Sequence, residues 1–329
     1  MKAIAFFNNK GGVGKTTLVN HLAWMFHDLG LRVGLIDLDP QANLTSSFLD
    51  DDEIEPLLEA EPPRTILGAV QPIMERLGDI RVPYIHRITE QLWLVPGDPG
   101  LSDFEDRLSD GWAHCLDDNK ANRADGQRVT TAFYRIVLAA VKEQPADLVL
   151  LDLGPALSPL NRASIVAADF VVVPVGADLF SLRGLINLGP RLRDWRKGWQ
   201  SRRGNDDTLP SGRMEPVGYV MLSHATRGNR PARAYDRWAQ RLPAAFASQV
   251  KGEANPTPRT SENDPYRLAT MRNYMSLMPL AQDARKPVFH LTARDGALGA
   301  HGAAVARAYG DFEALARRIA TSCGVPLPT

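Results

Sequence analysis

The chain has 329 residues, 44% of them apolar, and its 38 basic side chains are balanced by 38 acidic ones. That length and apolar content suit one large α/β domain with insertions better than two domains. Zero net charge rules out a generally basic surface, so any nucleic-acid contact must come from local patches. The two cysteines, Cys115 and Cys323, are far apart and in no metal spacing, which argues against a disulfide framework and suits a reducing cytosol. No leader peptide and no run of membrane-spanning length is visible, so the expected location is cytoplasmic.

In chain order, Ala3–Phe7 reads as a buried strand and runs into the glycine-rich Lys10–Thr17. Leu18, Leu22, Met25, Phe26 and Leu29 then fall at helical spacing, and Gly30 stops that helix. Val33–Asp37 is a second strand. Residues 50–61 hold seven carboxylates and read as a solvated acidic loop. Leu92–Pro96 is a third strand, Asp117–Gln127 an exposed loop, and Phe133, Ile136, Val137 and Ala140 one face of a helix. Leu148–Asp152 and Phe170–Val175 are continuous apolar runs, and Val217–Leu222 and Pro287–Leu291 offer two more strands. Gly198–Glu215 and Gly252–Asp264 are rich in Gly, Pro, Ser and Asn and read as long loops. Unbroken apolar strands alternating with helices predict a mostly parallel twisted sheet covered on both faces. The expected organisation is one domain over 1–329, with insertions around 50–65, 117–128, 198–215 and 252–264. No internal repeat is apparent.

Strand, glycine loop and helix in that order make a phosphate-binding loop. Backbone N–H groups of Gly11, Gly12, Val13 and Gly14 would close on phosphate oxygens, where a Cβ would obstruct. The following helix directs its positive end at the same place, and Thr17 completes the loop. Lys15 would lie along the β- and γ-phosphates, and Thr16 would hold Mg²⁺. The usual motif has glycine where Asn9 stands, and a second lysine, Lys10, follows it. Asp37 and Asp39 end the second strand; alternation puts them on the same side, where they could bind the metal's waters and orient an attacking water. Equally, they could be loop acids that cap the next helix. Asp152 ends the strongest apolar run, where a lone acid holds Mg²⁺ through water.

The loop Lys10-Gly-Gly-Val-Gly-Lys-Thr-Thr17 resembles the deviant Walker A loop of the ParA/MinD family of ATPases. Asp37-Leu-Asp-Pro-Gln41 is similar to that family's first switch. Trp93–Gly97, Ala167–Asp169 with Val173–Val175, and Gly310–Ala316 have counterparts in the same order. The resemblance is strong over the first 50 residues and weak after residue 190. It implies a P-loop fold of the deviant Walker A (SIMIBI) type, ATP and Mg²⁺ as cofactors, and a homodimer that sandwiches two nucleotides, with Lys10 reaching across to the second one. It further implies that Asp39 positions the hydrolytic water and that Asp37 acts near the metal. Leu153-Gly-Pro-Ala156 takes the place of the second switch but departs from its usual Thr-Pro-Pro form. Because the chain starts at the ATPase strand, the small ParA type, without an N-terminal DNA-binding extension, is expected.

Two segments are locally basic. One carries Arg191, Arg193, Arg196 and Lys197, with Trp195 and Trp199 between; the other carries Arg227, Arg230, Arg233 and Arg237. The resemblance implies non-specific DNA binding in the ATP state through such residues, although a solvated helix face has the same composition. It also implies a protein partner that stimulates hydrolysis, and a nucleoid-associated position. Pro and Gly in the last residues break an amphipathic tail, which disfavours a membrane anchor. Asn20, His21 and His27 are expected at the solvent or sheet edge of the first helix, with Trp24 packing. His114 and Cys115 adjoin without a third catalytic partner. The leading expectation is an ATPase switch that partitions or positions DNA or other cargo. The alternatives are an ATPase subunit of a defence, conjugation or regulatory complex, and a dethiobiotin-synthetase-like ligase.

Overall fold

The structure, a computed structural model, describes residues 1–222, 232–256, 260, 263–272, 274, 276–297 and 299–328, with only the backbone of 232–235 and 300. Its strands are β1 (Lys2–Phe6), β2 (Val33–Leu38), β3 (His86–Arg87), β4 (Leu92–Val95), β5 (Leu148–Leu153), β6 (Phe170–Gly176), β7 (Glu215–Leu222) and β8 (Arg267–Met271). They form one sheet in the order β3-β4-β2-β5-β1-β6-β7-β8. Every neighbouring pair is parallel except β3 with β4. The central strands β2, β5 and β6 are buried along their whole length, as strands covered on both faces must be. From β1 the chain moves outward through β2 to β4, returns to place β5 between β2 and β1, and then continues on the other side of β1. Ligands in such sheets sit at the carboxyl ends of strands beside that reversal.

The helices are α1 (Lys15–Asp28), α2 (Asn43–Ser46), α3 (Asp51–Leu58), α4 (Ile66–Met74), α5 (Phe104–His114), α6 (Lys120–Thr130), α7 (Ala132–Glu143), α8 (Pro159–Val166), α9 (Leu179–Arg203), α10 (Ala232–Ala239), α11 (Leu242–Ala245), α12 (Met278–Ala284) and α13 (Ala300–Cys323). One face of the sheet packs against α4, α5, α7, α8 and α9 around Phe104, Phe133, Leu185 and Trp199. The other packs against α1 and α13 around Leu22, Phe26, Phe312 and Leu315.

Four sequence expectations need correction. The acidic stretch 50–61 is not a loop, because most of it forms α3. Asp50 Oδ1 accepts from the Glu53 amide and the Glu53 carboxylate accepts from the Asp50 amide, a reciprocal cap. The remaining first-turn acids suit the helix N-terminus. Asp117–Gln127 largely forms α6, capped by Asn119, whose Oδ1 accepts from the Ala121 and Asn122 amides. Residues 198–203 belong to the end of α9, so the loop begins at Gly204. Pro287–Leu291 is no strand, since Val288–His290 makes a single 3-10 turn. Of the loop expected at 252–264, residues 257–259 and 261–262 lie outside the described residues.

Candidate functional site

The end of β1 passes into the glycine loop at the middle of the sheet. Gly12 and Gly14 have φ of +70° and +84°, a left-handed backbone that side chains other than glycine rarely accept. These two residues turn the chain from strand to helix within the loop. α1 starts at Lys15 with Gly14 as its N-cap and no side chain capping its first turn. The first amides of a helix need an acceptor, and here none comes from a cap. They open on a cavity of about 650 Å³ lined by Gly11, Gly12, Val13, Gly14, Lys15, Thr16 and Thr17 together with Asp39. Every expected nucleotide-loop residue thus meets Asp39 at one cavity.

The three acids differ in their surroundings. Asp37 is fully buried; its Oδ2 accepts from the Thr45 amide at 2.9 Å and from Thr45 Oγ1 at 2.8 Å. Its Oδ1 accepts from the Asp39 amide at 3.3 Å. Both oxygens are therefore engaged by the segment leading from β2 into α2, and Thr45 Oγ1 in turn accepts from the Gly97 amide at 2.7 Å beyond β4. Asp152 stands opposite Asp37 in the β2–β5 register. Burial pushes both carboxyls well above the usual carboxylate range, and for Asp37 the neighbouring Asp152 adds to it. Lys15 and Thr16 beside Asp152 act the other way. Asp37 and Asp39 differ in position: Asp39 lines the cavity while Asp37 accepts from Thr45.

Both oxygens of Asp152 are buried with no hydrogen-bond partner among the described residues. Such a carboxylate is costly unless a cation or its hydration shell meets it. With Thr16 alongside, the donor set is all oxygen, as Mg²⁺ prefers. The residues fit a magnesium–nucleotide.

Lys10 lies at the rim, where its Nζ is 2.8 Å from Asp178 Oδ2 and 3.1 Å from Ser181 Oγ. Asp178 is also the N-cap of α9, accepting from the amides of Phe180 and Ser181. Burial raises its pKa, but the Lys10 and Ser181 hydrogen bonds outweigh that and hold it at about 2. Leu179 and Phe180, which follow Asp178, and Leu157, in the loop after Asp152, stand exposed, Phe180 at 74%.

Several residues of the site were missed or misplaced by sequence reasoning. Asn20 and His21 are buried, not at a solvent edge. Asn20 Nδ2 donates to Ser47 Oγ at 3.0 Å. His21 Nδ1 meets the Thr17 carbonyl at 2.7 Å and its Nε2 accepts from the Val288 amide at 3.1 Å, so the ring is neutral with its proton on Nδ1. Burial pushes its pKa down to about 4. Asn161 of α8 is fully buried below the loop that follows Asp152. Met278, Ala281, Gln282 and Lys286 of the α12 region form a further wall of the cavity. Only the fold brings that region, some 260 residues downstream, to the loop.

None of the described residues Arg191, Arg193, Arg196, Lys197 and Arg237 lines the cavity. Arg191, Arg193, Arg196 and Lys197 are exposed along α9, whereas Trp195 and Trp199 between them are core residues. Arg237 is exposed on α10 with its guanidinium 5.0 Å from the Trp238 ring centre. Arg227, Arg230 and the side chain of Arg233 lie outside the described residues. No described helix is long and apolar enough to cross a membrane.

A family model described as an AAA domain matches residues 1–202. The chain is 34% identical over 205 residues to the chromosome-partitioning ATPase Soj of Thermus thermophilus, covering 61% of this chain and 66% of that protein. It is 31% identical over 188 residues to the protein IncC of Escherichia coli, covering 56% of this chain and 44% of that one. The matches therefore span between about half and two thirds of those relatives. Among solved structures, protein DIP2308 from Corynebacterium diphtheriae superposes with a TM-score of 0.72 at 22% identity, over 98% of both chains. An ATP complex of a McdA variant from Cyanothece gives 0.62 at 17% identity, over 100% of this chain and 98% of that one. At such identities the likeness is one of fold.

Proposed function

Because the chain belongs to the ParA/MinD family of P-loop ATPases, we propose that it is a magnesium–ATP-dependent dimerising switch. In this reading the ATP-bound dimer holds non-specific DNA, and the protein positions or partitions DNA or another cargo with a partner that stimulates hydrolysis. The observation that carries the reading is the convergence of the uncapped α1 start, Lys15, Thr16 and Asp39 on one cavity, with Lys10 at its rim.

The loop amides and Lys15 bind the phosphates, and Thr16 and Asp152 hold the metal, which neutralises developing phosphate charge when bound. Asp37 fixes Thr45, and with it the segment carrying Asp39. Asp39 orients the attacking water. Lys10 exchanges Asp178 for the phosphates of a second copy, a more highly charged acceptor. The exposed Leu157, Leu179 and Phe180 are then covered by that copy. DNA is held by the α9 stripe and the arginines near α10. The protein acts in the cytoplasm, on the nucleoid.

The test is binding to random-sequence duplex DNA with ATP, ADP or no nucleotide over a salt series. Binding with ATP alone, falling steeply with salt, is expected. An intact ATP dimer that binds no DNA would redirect the function to a protein complex.

A further inference from the structure

We infer that Asn161 is a positioning residue that fixes the loop between β5 and α8 against the phosphate site, an inference that rests on the ATPase reading above. Its Nδ2 donates to the carbonyls of Gly154 at 2.9 Å and Ala156 at 2.6 Å. Those carbonyls flank Pro155, which lines the nucleotide cavity. Pro155 Cγ is 4.0 Å from where a Cβ on Gly11 of the phosphate loop would stand, and a Cβ on Gly154 would lie 3.2 Å from Asp39 Oδ1. One buried amide thus holds both sides of the residue that sits between the phosphate loop and the acid proposed to orient water. The amide orientation is set by its two acceptors, because the flipped rotamer would place an oxygen against two carbonyl oxygens.

Asn161 is also anchored from below. It lies in the first turn of α8, where its amide donates to Ser158 Oγ at 3.4 Å, and its side chain is 1% exposed. Its Oδ1 is buried with no partner among the described residues. A side chain serving only to fill the core would not leave a buried acceptor unmet, which is costly. The residue is kept for its two donated bonds. The segment it holds has no regular secondary structure of its own. Without the amide, the Gly154 and Ala156 carbonyls lose their side-chain donor and Pro155 is free to shift relative to Gly11 and Asp39.

Two variants separate this role from simple support. Asn161→Ala removes the donors. Asn161→Asp keeps the shape but sets a carboxylate against two carbonyls, and regains one donor when protonated. In the nucleotide-free protein, the NMR order parameters of the Gly154, Ala156 and Leu157 amides are expected to fall from rigid-backbone values to below about 0.6 in Asn161→Ala, with α1 unaffected. Unchanged order parameters there overturn the inference whether or not the protein hydrolyses ATP. In turnover, both variants should lose kcat by on the order of tenfold or more at unaltered KM, and Asn161→Asp should regain activity as pH falls while wild type does not. A rise in KM matching the loss, or no pH rescue, would reduce Asn161 to a structural residue. A wild-type protein without ATPase activity would instead overturn the ATPase reading, and the order parameters would still decide whether Asn161 fixes the loop.

Discussion

Lys10 is held within its own chain by Asp178, and the pair persists across the neutral range because Asp178 titrates at about 2. A depressed carboxylate pKa gives stability that is present above its ordinary value and lost only as pH falls through about 2. A change of pH within the neutral range therefore does not release Lys10; in the proposed dimer the second copy's nucleotide does. Asp178→Asn keeps a good N-cap for α9 while removing the charge; it is expected to leave nucleotide affinity intact and tighten the ATP dimer about threefold to tenfold by light scattering. A weaker dimer would mean that Asp178 serves the dimer and does not restrain Lys10. Lys15→Ala should abolish nucleotide binding in calorimetry. His21 contributes a pH dependence of its own. Burial holds its imidazole at about 4 against an ordinary 6.5, so the unfolded chain takes up the proton first. Its contribution is fully present above pH 6.5 and is lost as pH drops toward 4, by about 3 kcal/mol at most. Urea midpoints for wild type and His21→Asn should converge as pH falls through that window. Lys15 and Thr16 stood out in the sequence because phosphate chemistry fixes the spacing of the glycine loop, and Asp39 through its likeness to the family's first switch; the structure brings the three to one cavity. His21 and Asn161 were not, since His21 meets Val288 across 267 positions and an asparagine in a helix carries no sign of what lies above it.

Helices α3 and α6 show how polar composition conceals an element. In α3 the acids that suggested a solvated loop are the start signal itself, with Asp50 and Glu53 capping each other. In α6 the reason is packing. A Cβ on Gly126 would lie 2.6 Å from the Cys115 amide nitrogen and from the Gly111 carbonyl oxygen. The two helices touch backbone to backbone, so only Val129 and its neighbours carry apolar contact and no apolar stripe is needed. Gly126→Ala gains helix propensity yet forces α5 and α6 apart, with an expected net loss of about 1–3 kcal/mol. Urea unfolding with an unchanged m-value would show it, and a stabilised variant would mean that the crossing relaxes freely. Where apolar periodicity was strong, in β2, β5, β6 and α1, the elements lie where the sequence puts them. Strand β8 escaped notice because its burial alternates irregularly at the sheet edge, and β3 because it is two residues long.

For the molecule as a whole, the parallel sheet and its covered faces were readable from uninterrupted apolar strands, and the site followed from where β1 ends. No DNA surface was readable, because charge alone does not separate a binding stripe from a solvated face. The structure exposes the four cations around the part of α9 that Leu188, Leu192, Trp195 and Trp199 leave uncovered, with Arg196 4.0 Å from Glu215. Neutralising Arg191, Arg193, Arg196 and Lys197 together should weaken ATP-state binding to duplex DNA and lower the log–log salt slope by about 3–4. An unaltered slope would remove α9 from the interface. The sheet also divides the molecule optically. Of the six tryptophans, Trp93, Trp112, Trp195, Trp199 and Trp238 belong to the layer beside α9, and Trp24 stands in the other layer on α1, stacked near Phe48. Subtracting the emission of Trp24→Phe from that of wild type would leave a signal from α1 alone, so the two layers can be timed separately in a single stopped-flow experiment without any attached dye.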